Sequence, residues 1–455
     1  MPAPESAPPA AASVPLSGGH LLRRIGLLAA TAITVGNIVG SGIFRSPHSV
    51  AQQIEGLGIV LAAWILGGAL SLAGSLVLAE LAVLHPRTGG LYVFIREAFG
   101  DLWAFVFGWA SLWVIKPTVI ASIVSVLALY LAQALGLSPA TQPWLGAGAI
   151  LLLTVINTLG VREGAGTQTL FTLLKVAGIV GLCAAAFLLP HGGPAADAVA
   201  PAALVAPPLA AGFVTAMISI LFAYDGWTDV TYVGGEVKDP RRNLPWAILG
   251  GTALVILLYV LTNLAYYAVL SPAEVATYEA VGSETARRIL GSGGATALAV
   301  LVAVSTFGTT NGAILTGPRV TQAMAADGLL WQRAAHVHPR RATPDIALWI
   351  QAALAIVWLL AAQGFEDVSG WFVTTSWLFY GLATAAIFVL RRRQGATSEG
   401  GYRTPLYPLL PLLFIAVTAL LIFSDLTASG WRAWAGVAIA ATGIPVFIAW
   451  KRRTS

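Results

Sequence analysis

Residues 35–45 read VGNIVGSGIFR and place three glycines, an asparagine and a serine inside an otherwise apolar stretch. Glycine destabilises a helix, and an interrupted helix leaves backbone N–H and C=O groups that hydrocarbon cannot satisfy. In a membrane span, such a backbone is tolerated only where protein holds it or where it lines a cavity. The stretch therefore predicts either a segment outside the membrane or a broken membrane helix that holds a ligand.

The composition decides between these two interpretations. The chain has 455 residues, of which 57% are hydrophobic and 10% are charged, and its mean hydropathy is +0.80. Soluble domains carry about 25% charged residues, so this chain lacks the residues for a water-exposed surface. Apolar runs of roughly 20 residues recur, which is the length of helix that crosses ~30 Å of hydrocarbon. The sequence predicts an all-α membrane protein that contacts the lipid bilayer.

We predict 12 transmembrane helices and divide the chain accordingly. Residues 1–20, rich in Ala, Pro and Ser, are predicted to be a disordered cytoplasmic tail. Residues 21–390 form a ten-helix core with repeats at about 21–190 and 207–390, and residues 391–455 hold helices 11 and 12 and a cytoplasmic C-terminus. The predicted spans start near Ile25, Gly58, Leu102, Trp144, Gln168, Leu209, Pro245, Ala295, Pro344, Gly370, Leu406 and Trp431.

The loop charges predict the orientation of the chain. Every even-numbered connection is basic, whereas the odd-numbered connections carry almost no Lys or Arg, with Arg287, Arg288 and Arg432 as exceptions. Because cytoplasmic loops are enriched in basic residues, both termini are predicted to lie in the cytoplasm, with the protein in the inner (cytoplasmic) membrane. The net charge of +5 is thereby explained by topology, and no nucleic-acid partner is expected. The basic residues of the even-numbered connections are Arg87, Arg96, Arg162, Lys238, Arg241, Arg242, Arg333, Arg340, Arg341, Arg391, Arg392, Arg393 and Arg403.

A second interruption occurs in the sixth predicted span, FAYDGWTDVTYVGG, where Asp225 and Gly226 break another apolar run. Each break lies in the first helix of a five-helix block. Discontinuous helices at corresponding places in two halves are the best sequence indication of a transporter binding site. Because five is odd, adjacent five-helix blocks have opposite topology, which fits an inverted repeat with discontinuous helices 1 and 6.

The two breaks predict the chemistry of the ligand. The second half-helix of the first span begins near Ser41, and its free N–H groups suit a carboxylate. The first half-helices end in free carbonyls, near Asn37 and Ile38 and at residues 222–224, which suit an ammonium group. An α-amino acid carries both charges on adjacent atoms, and Gly40 and Gly42 leave room for it to approach the backbone. Ser41 offers a hydroxyl in addition.

Glycines also serve close helix packing, and this is the preferred explanation for Gly67, Gly68, Gly74 and Gly181. For residues 40–42, paired with the break in the sixth span, ligand binding is the preferred interpretation.

These motifs resemble the amino acid–polyamine–organocation (APC) superfamily and, within it, the L-type amino acid transporter group. The likeness covers nearly the whole chain after the tail. It is carried by VGSGIFRSP, FAYDGWTDVTYVGGEVKDPRRNLP, ELAVLHPRTGGLYVFIREAFG, STFGTTNG, HPRRATPDIAL and WLFYG in this order. The resemblance implies a LeuT-like 5+5 inverted repeat with two extra C-terminal helices, working by alternating access.

The resemblance also implies roles for individual residues. Carried over by motif position, Ile38, Ser41 and Gly42 would bind the substrate backbone, and Phe222 would be the gating aromatic residue. The remaining residues of the sixth-span motif are Ala223 and Tyr224, which would supply carbonyls, and Trp227, which would lie nearby.

Lys175 lies in LFTLLKVAGIV, near the first third of the predicted fifth span. A lysine in lipid is a functional-site candidate, although it can also reach towards the cytoplasmic boundary. In the resembling family a lysine here occupies the place where sodium-coupled relatives bind a cation, which would make transport sodium-independent. Ser305, with Thr306, is the expected neighbour on the eighth helix. Lys175 could also carry a proton, so exchange, uniport and proton symport all remain open.

Three further polar residues lie within predicted spans. Asp225 is interpreted as an N-cap of the half-helix that follows it, with a proton relay as the alternative. Lys116 precedes a proline that kinks the third span, and we expect it to line a water-filled cavity. Asn311 is expected to face the substrate pathway or to bond to a neighbouring helix. Near the cytoplasmic face, Glu80, Glu236 and Asp239 are expected to stabilise a closed gate with arginines.

We therefore expect a secondary active transporter of neutral L-amino acids that works as a sodium-independent exchanger or uniporter. The alternatives are a proton-coupled symporter and, less favoured, a cationic amino acid or polyamine permease, because only Asp225 and Asp229 offer intramembrane partners for a cationic side chain. Catalytic motifs are absent from the sequence, so no enzyme, cofactor or metal is expected. The external loop after the third helix lacks cysteine, and Cys183 is the only one in the chain. In the resembling family, animal members are disulfide-linked to a heavy chain through a cysteine in this loop. Such a partner is therefore excluded, and a monomer is expected.

Overall fold

The computed structural model describes residues 21–190, 209–361, 365–394, 401–428 and 431–454. Within these ranges the regular structure is helical, apart from one isolated β-bridge that pairs Ile25 with Val237. The predicted disordered tail lies outside the described residues, as does most of the predicted connection between the fifth and sixth spans.

The described helices alternate long, apolar segments with short ones. In chain order they are α1 (Leu27–Ile38), α2 (Gly42–Ala51), α3 (Leu57–Leu84), α4 (Leu91–Phe99), α5 (Asp101–Ala110), α6 (Lys116–Ala134), α7 (Gln142–Leu159), α8 (Val161–Leu188), α9 (Leu209–Ala223), α10 (Asp229–Tyr232), α11 (Pro240–Val269), α12 (Pro272–Thr277), α13 (Val281–Thr316), α14 (Pro318–Ala326), α15 (Asp345–Ala361), α16 (Phe365–Gln394), α17 (Leu409–Ala428), α18 (Trp431–Ala441) and α19 (Gly443–Thr454). A π-helical turn, Ser111–Ile115, joins α5 to α6, and short 3₁₀ turns occupy Pro139–Thr141, Gly234–Glu236 and Gln332–Ala335.

Ten helical segments in the described part of the chain are long and apolar enough to cross a membrane. Two shorter apolar helices, Ala211–Ala223 and Asp345–Ala361, coincide with the predicted sixth and ninth spans. The protein is therefore a multi-pass, all-helical membrane protein.

The fifth span begins at Val161, well before the predicted start near Gln168. Its first turns carry Arg162, Glu163 and small residues, which gave no apolar signal in the sequence. The earlier start places Lys175 in the middle of α8 and not near its end.

The packing of the long helices brings the two predicted breaks together at the centre of the molecule. The first half of span one, α1, packs against α8, α11 and α13, while α2 packs against α9. The short helix α10 contacts α1, α11 and α13. The buried residues of α1 run from Ile33 to Ile38 without an exposed position, so this part of the helix is enclosed by protein.

Ion pairs join helix ends in the basic, predicted cytoplasmic regions. Glu80 accepts two hydrogen bonds from Arg391, at 2.7 and 2.6 Å, and Glu236 forms a fully buried ion pair with Arg319 at 2.9 Å. Asp239, expected to do the same, makes no ion pair within the described residues. It instead begins α11, where its backbone carbonyl accepts from Arg242 and Asn243.

Candidate functional site

The first break lies between Ile38, where α1 ends, and Gly42, where α2 begins. The helix termination frees backbone carbonyls that have no donor within the helix itself. Two of them, the carbonyls of Gly36 and Val39, accept hydrogen bonds from Lys175 Nζ at 2.9 and 2.7 Å. The first break is thus held by a cation from another helix.

The ammonium group of Lys175 is enclosed on all sides. Its third contact is Thr309 Oγ1 at 2.8 Å, and the side chain is fully buried. An isolated charge in this position needs such oxygen partners because lipid offers none. Since the ammonium is bound at the break, the alternative in which this lysine reaches to the membrane boundary is wrong.

Ser305 lies beside this lysine but does not bond to it. Its hydroxyl approaches the carbonyls of Val39 and Gly40, at 3.2 and 3.4 Å. The direct hydroxyl partner of Lys175 is Thr309, one helical turn later, while Thr306 bonds back to its own helix.

The second break separates Ala223, the end of α9, from Asp229, the start of α10. Gly226 has φ = +115°, and a Cβ at this position would lie 2.7 Å from the carbonyl carbon of Asn37. The left-handed backbone and the close approach both require glycine. The backbones of the two breaks are therefore in direct contact.

One tyrosine hydroxyl lies between the two breaks, and a carbonyl from each break shares its single proton. The hydroxyl of Tyr259 on α11 lies 2.9 Å from the carbonyl of Ile38 and 2.9 Å from the carbonyl of Ala223. These are the last residues of α1 and α9, where helix carbonyls lack internal partners. The side chain thus helps to hold the ends of both half-helices.

The prediction that Asp225 caps the following half-helix is wrong. The residue before α10 is Thr228, and its side chain makes no capping hydrogen bond. Asp225 instead accepts a hydrogen bond from Tyr380 Oη at 2.7 Å. Gly226, with its positive φ, lies between Asp225 and α10, so the carboxylate is not at the start of that helix.

The third span is also irregular at the point where it meets the breaks. Pro117 has no N–H, so the carbonyl of Trp113, four residues earlier, loses its helical donor. Trp358 Nε1 on α15 supplies the missing hydrogen bond at 2.8 Å. The π-helical turn just before Lys116 is of a kind often found at functional sites.

The irregular turn presents Lys116 to the second break. Its Nζ lies 2.7 Å from Asp229 Oδ1, and 4.5 Å from the ring centroid of Tyr232. The other carboxylate oxygen of Asp229 accepts from Asn37 Nδ2 at 2.7 Å and lies 3.3 Å from Thr316 Oγ1, whose proton is shared with the carbonyl of Gly312 at 2.9 Å. One carboxylate therefore binds side chains from α1, α6 and α13.

A cavity lies where the breaks and the third span meet. Ser41 Oγ is buried there and has no hydrogen-bond partner within the described chain, so it is available to a ligand. The ring of Phe222 meets that of Phe372 edge to face at 6.1 Å, on the same wall. The lining residues are Asn37, Ile38, Gly40, Ser41, Gly42, Lys116, Val119, Ile123, Phe222, Ala223, Asp225, Gly226, Asp229, Thr309, Ala313 and Phe372.

Three residues that were predicted to bind substrate lie outside this lining. Tyr224 packs against Trp64 and Tyr259. Trp227 packs against Tyr380. Each is fully buried among aromatic rings of neighbouring helices.

The third of these residues, Asn311, is bonded within the helix bundle. It donates to Gln168 Oε1 and to the carbonyl of Gly164, both at 3.1 Å, and accepts from Asn157 Nδ2 at 2.8 Å. This arrangement corresponds to the alternative in which Asn311 bonds to neighbouring helices.

Sequence reasoning gave no role to Thr309, Tyr259 or Tyr380, and it missed two pairings, that of the Asn37 side chain and that of Asp229 with Lys116. For Asp229 a signal existed. Intramembrane charges commonly pair with one another, and Lys116 was a lysine within a predicted span that had been given no partner. The tyrosines carried no signal, since a buried tyrosine has the same sequence pattern whether or not its hydroxyl bonds to a broken helix.

The long apolar helices define an integral membrane protein, and comparison with known proteins defines its family. The chain belongs to the amino acid permease family of the APC superfamily, whose sequence profile matches residues 25–447. It is 35% identical to the serine/threonine exchanger SteT of Bacillus subtilis over 436 residues, which cover 95% of this chain and 98% of SteT.

Animal proteins are related over similar lengths. The mouse large neutral amino acids transporter small subunit 2 is 34% identical, over 98% of this chain and 84% of its own. The mouse b(0,+)-type amino acid transporter 1 is 32% identical, over 91% and 85%. The family is one of amino acid transporters and not of enzymes.

Proposed function

We propose that this protein is a sodium-independent exchanger or uniporter of neutral L-amino acids that works by alternating access. The observation that carries the proposal is the ammonium of Lys175, which is bonded to two carbonyls of the first break. A protein that carries its own cation at this position has no need of a dissolved one.

The substrate is proposed to bind at the first break, in the cavity. Helix α2 directs its N-terminal N–H groups and the unpartnered hydroxyl of Ser41 to one place, which suits a carboxylate. Its ammonium group is proposed to bind near the carbonyls of Ile38 and Ala223. The related serine/threonine exchanger and neutral amino acid transporter subunit support a neutral cargo.

The proposed architecture is the LeuT-like 5+5 inverted repeat with 12 spans, discontinuous helices 1 and 6, and two extra C-terminal helices. It is supported by the helix ends at Ile38 and Ala223 and by the restarts at Gly42 and Asp229. Basic residues in the even-numbered connections support cytoplasmic termini in the inner membrane. Cys183 is the only cysteine and is buried in α8, which supports a single-chain transporter without a disulfide-linked heavy chain.

Proton symport is the second candidate, and Asp225 is the observation that favours it. Its carboxylate lines the cavity, accepts from the neutral hydroxyl of Tyr380, and forms no ion pair within the described residues. A carboxylate in such a place can take up a proton together with the substrate.

Uptake into liposomes distinguishes the candidates. Purified protein is reconstituted into vesicles loaded with unlabelled serine, and labelled serine uptake is measured in sodium or choline buffer, with and without an inwardly directed proton gradient. We expect saturable uptake that internal serine accelerates and that sodium does not change. A requirement for sodium would refute the proposal, and concentrative uptake driven by the proton gradient in empty vesicles would establish symport.

A further inference from the structure

Of the described residues that line the cavity, three carry a charged side chain, and they are not equivalent. Lys116 and Asp229 form an ion pair at 2.7 Å, in which each side chain is 8% exposed. Asp225 accepts a hydrogen bond from the neutral hydroxyl of Tyr380 and forms no ion pair within the described residues. The cavity therefore contains one neutralised carboxylate and one that accepts from a hydroxyl group.

The carboxylate of Asp229 is saturated by donors. Lys116 bonds to one of its oxygens, while Asn37 and Thr316 bond to the other. A buried charge is tolerated when it is paired and hydrogen-bonded in this way, and it then offers little attraction to a further cation.

The ion pair lies beside the surface that a substrate side chain would contact. Lys116, Val119 and Ile123 all line the cavity, and their spacing places them on one face of α6. This face presents two apolar side chains and then the ammonium. A substrate side chain that lies along Val119 and Ile123 would therefore end close to the ion pair.

We propose that the Lys116–Asp229 ion pair determines charge selectivity: by neutralising Asp229, Lys116 makes the cavity select amino acids with uncharged side chains. The inference rests on the proposed amino acid transport and adds the residues that exclude cationic cargo. Without the ammonium, both Asp229 and Asp225 face the cavity as uncompensated carboxylates. A cationic side chain then supplies the missing charge.

Removal of the Asp229 charge is expected to have a different effect from removal of the Lys116 charge. Loss of the Asp229 charge leaves Lys116 close to Asp225, the other carboxylate of the cavity wall. The cavity then keeps one cation and one anion, so it continues to prefer uncharged side chains. Selectivity is expected to change on removal of the cation and not on removal of this anion.

The test compares labelled arginine and labelled serine uptake by reconstituted wild type, Lys116→Met, Asp229→Asn and the double variant Lys116→Met/Asp229→Asn. We expect the arginine-to-serine uptake ratio of Lys116→Met to rise by about tenfold or more, as for a newly available ion-pair partner. The ratio should stay near the wild-type value in Asp229→Asn and fall back towards it in the double variant. Lys116→Arg, which keeps the charge, should show no gain.

Ligand-dependent thermal stabilisation of the detergent-purified proteins provides a second measurement, since a ligand that binds the folded state raises Tm. Arginine should stabilise Lys116→Met and not the wild type. Lys116→Gln replaces Lys116→Met if the latter does not fold. An unchanged arginine preference of the folded variant in both assays overturns the inference. If the wild type neither transports nor is stabilised by any amino acid, the proposed function itself fails.

Discussion

The two helix breaks meet backbone to backbone, yet they are stabilised by opposite charges. At the first break, the carbonyls of Gly36 and Val39 bind the ammonium of Lys175. At the second, the carboxylates of Asp225 and Asp229 accept from donors on other helices. The first break thus exposes acceptors and recruits a cation, whereas the second carries its own anions and recruits donors.

This difference indicates how a membrane protein can interrupt two helices that lie side by side. Each break needs partners, and the partners come from helices distant in sequence, α8 for the first and α6 and α16 for the second. By formal charge the two breaks balance one another, because Lys175 and Lys116 match Asp225 and Asp229 in number. A zwitterionic substrate preserves this balance.

The largest effect is expected where the breaks touch. Gly226→Ala introduces a Cβ 2.7 Å from the carbonyl carbon of Asn37 and forces a left-handed backbone on alanine. Left-handed strain costs about 1–2 kcal/mol and overpacking about 1–3 kcal/mol. We expect no transport and a much lower yield of monodisperse protein on size-exclusion chromatography. Wild-type behaviour of this variant would show that the two backbones are not in contact.

A similarly large effect is expected at Gly42, for a reason that revises the sequence-based one. The sequence suggests that a side chain here blocks the substrate carboxylate, but a Cβ would already lie 2.5 Å from Ala223 Cα. Gly42→Val should therefore abolish uptake by forcing α2 away from α9. In the control Gly40→Ala, the nearest atom is the methyl group of Thr309 at 3.2 Å, so that variant should remain folded. Equal thermal stability of both variants would contradict this explanation.

Removal of the cation tests the first break alone. Lys175→Ala removes the ammonium that donates to three oxygen acceptors, and we expect serine uptake to fall at least about tenfold. Sodium should not restore uptake strongly, because the oxygen atoms around Lys175 are arranged to bind its ammonium group and not a sodium ion. Uptake is compared in sodium and choline buffers. Full activity of the variant in sodium-free buffer would show that transport does not need the ammonium group of Lys175.

The smallest effect is expected for the hydroxyl that bonds to both breaks. Tyr259→Phe removes the one hydroxyl proton that the carbonyls of Ile38 and Ala223 share, and a hydrogen bond inside a membrane protein contributes about 0.6–1.7 kcal/mol. We expect a lower Tm and a few-fold reduction in uptake. Tyr224→Phe is the matched control, because Tyr224 Oη is buried and has no partner in the described structure. An equal loss of stability in both variants would contradict the bridging role.

Part of this arrangement could be predicted from sequence because it has a local signature. The glycines of residues 35–45 and the Asp225–Gly226 pair each disturb an apolar run, and a lysine inside such a run stands out in the same way. Interruptions of this kind are visible without knowledge of packing. They indicated the regions that line the cavity.

The pairings could not be predicted because they depend on which helix faces which. Asn37 and Asp229 are separated by 192 positions, and nothing in either segment names the other. Asn311 looked like a pathway residue, but its amide is used by Gln168 and Asn157 inside the bundle. The start of the fifth span was misjudged because residues 162–168 are polar or small, yet they form the first turns of α8.

The β-bridge at the start of the chain has a mechanical consequence. Ile25 donates its N–H to Glu236 and accepts from Lys238, so the peptide leading into α1 is fastened to the loop that follows α10. At their inner ends, the same two helices are joined through Asn37 and Asp229. Because α1 and the α10 segment are hydrogen-bonded to each other at both places, we expect them to tilt together. A movement of α1 away from the bundle would then move α10 with it.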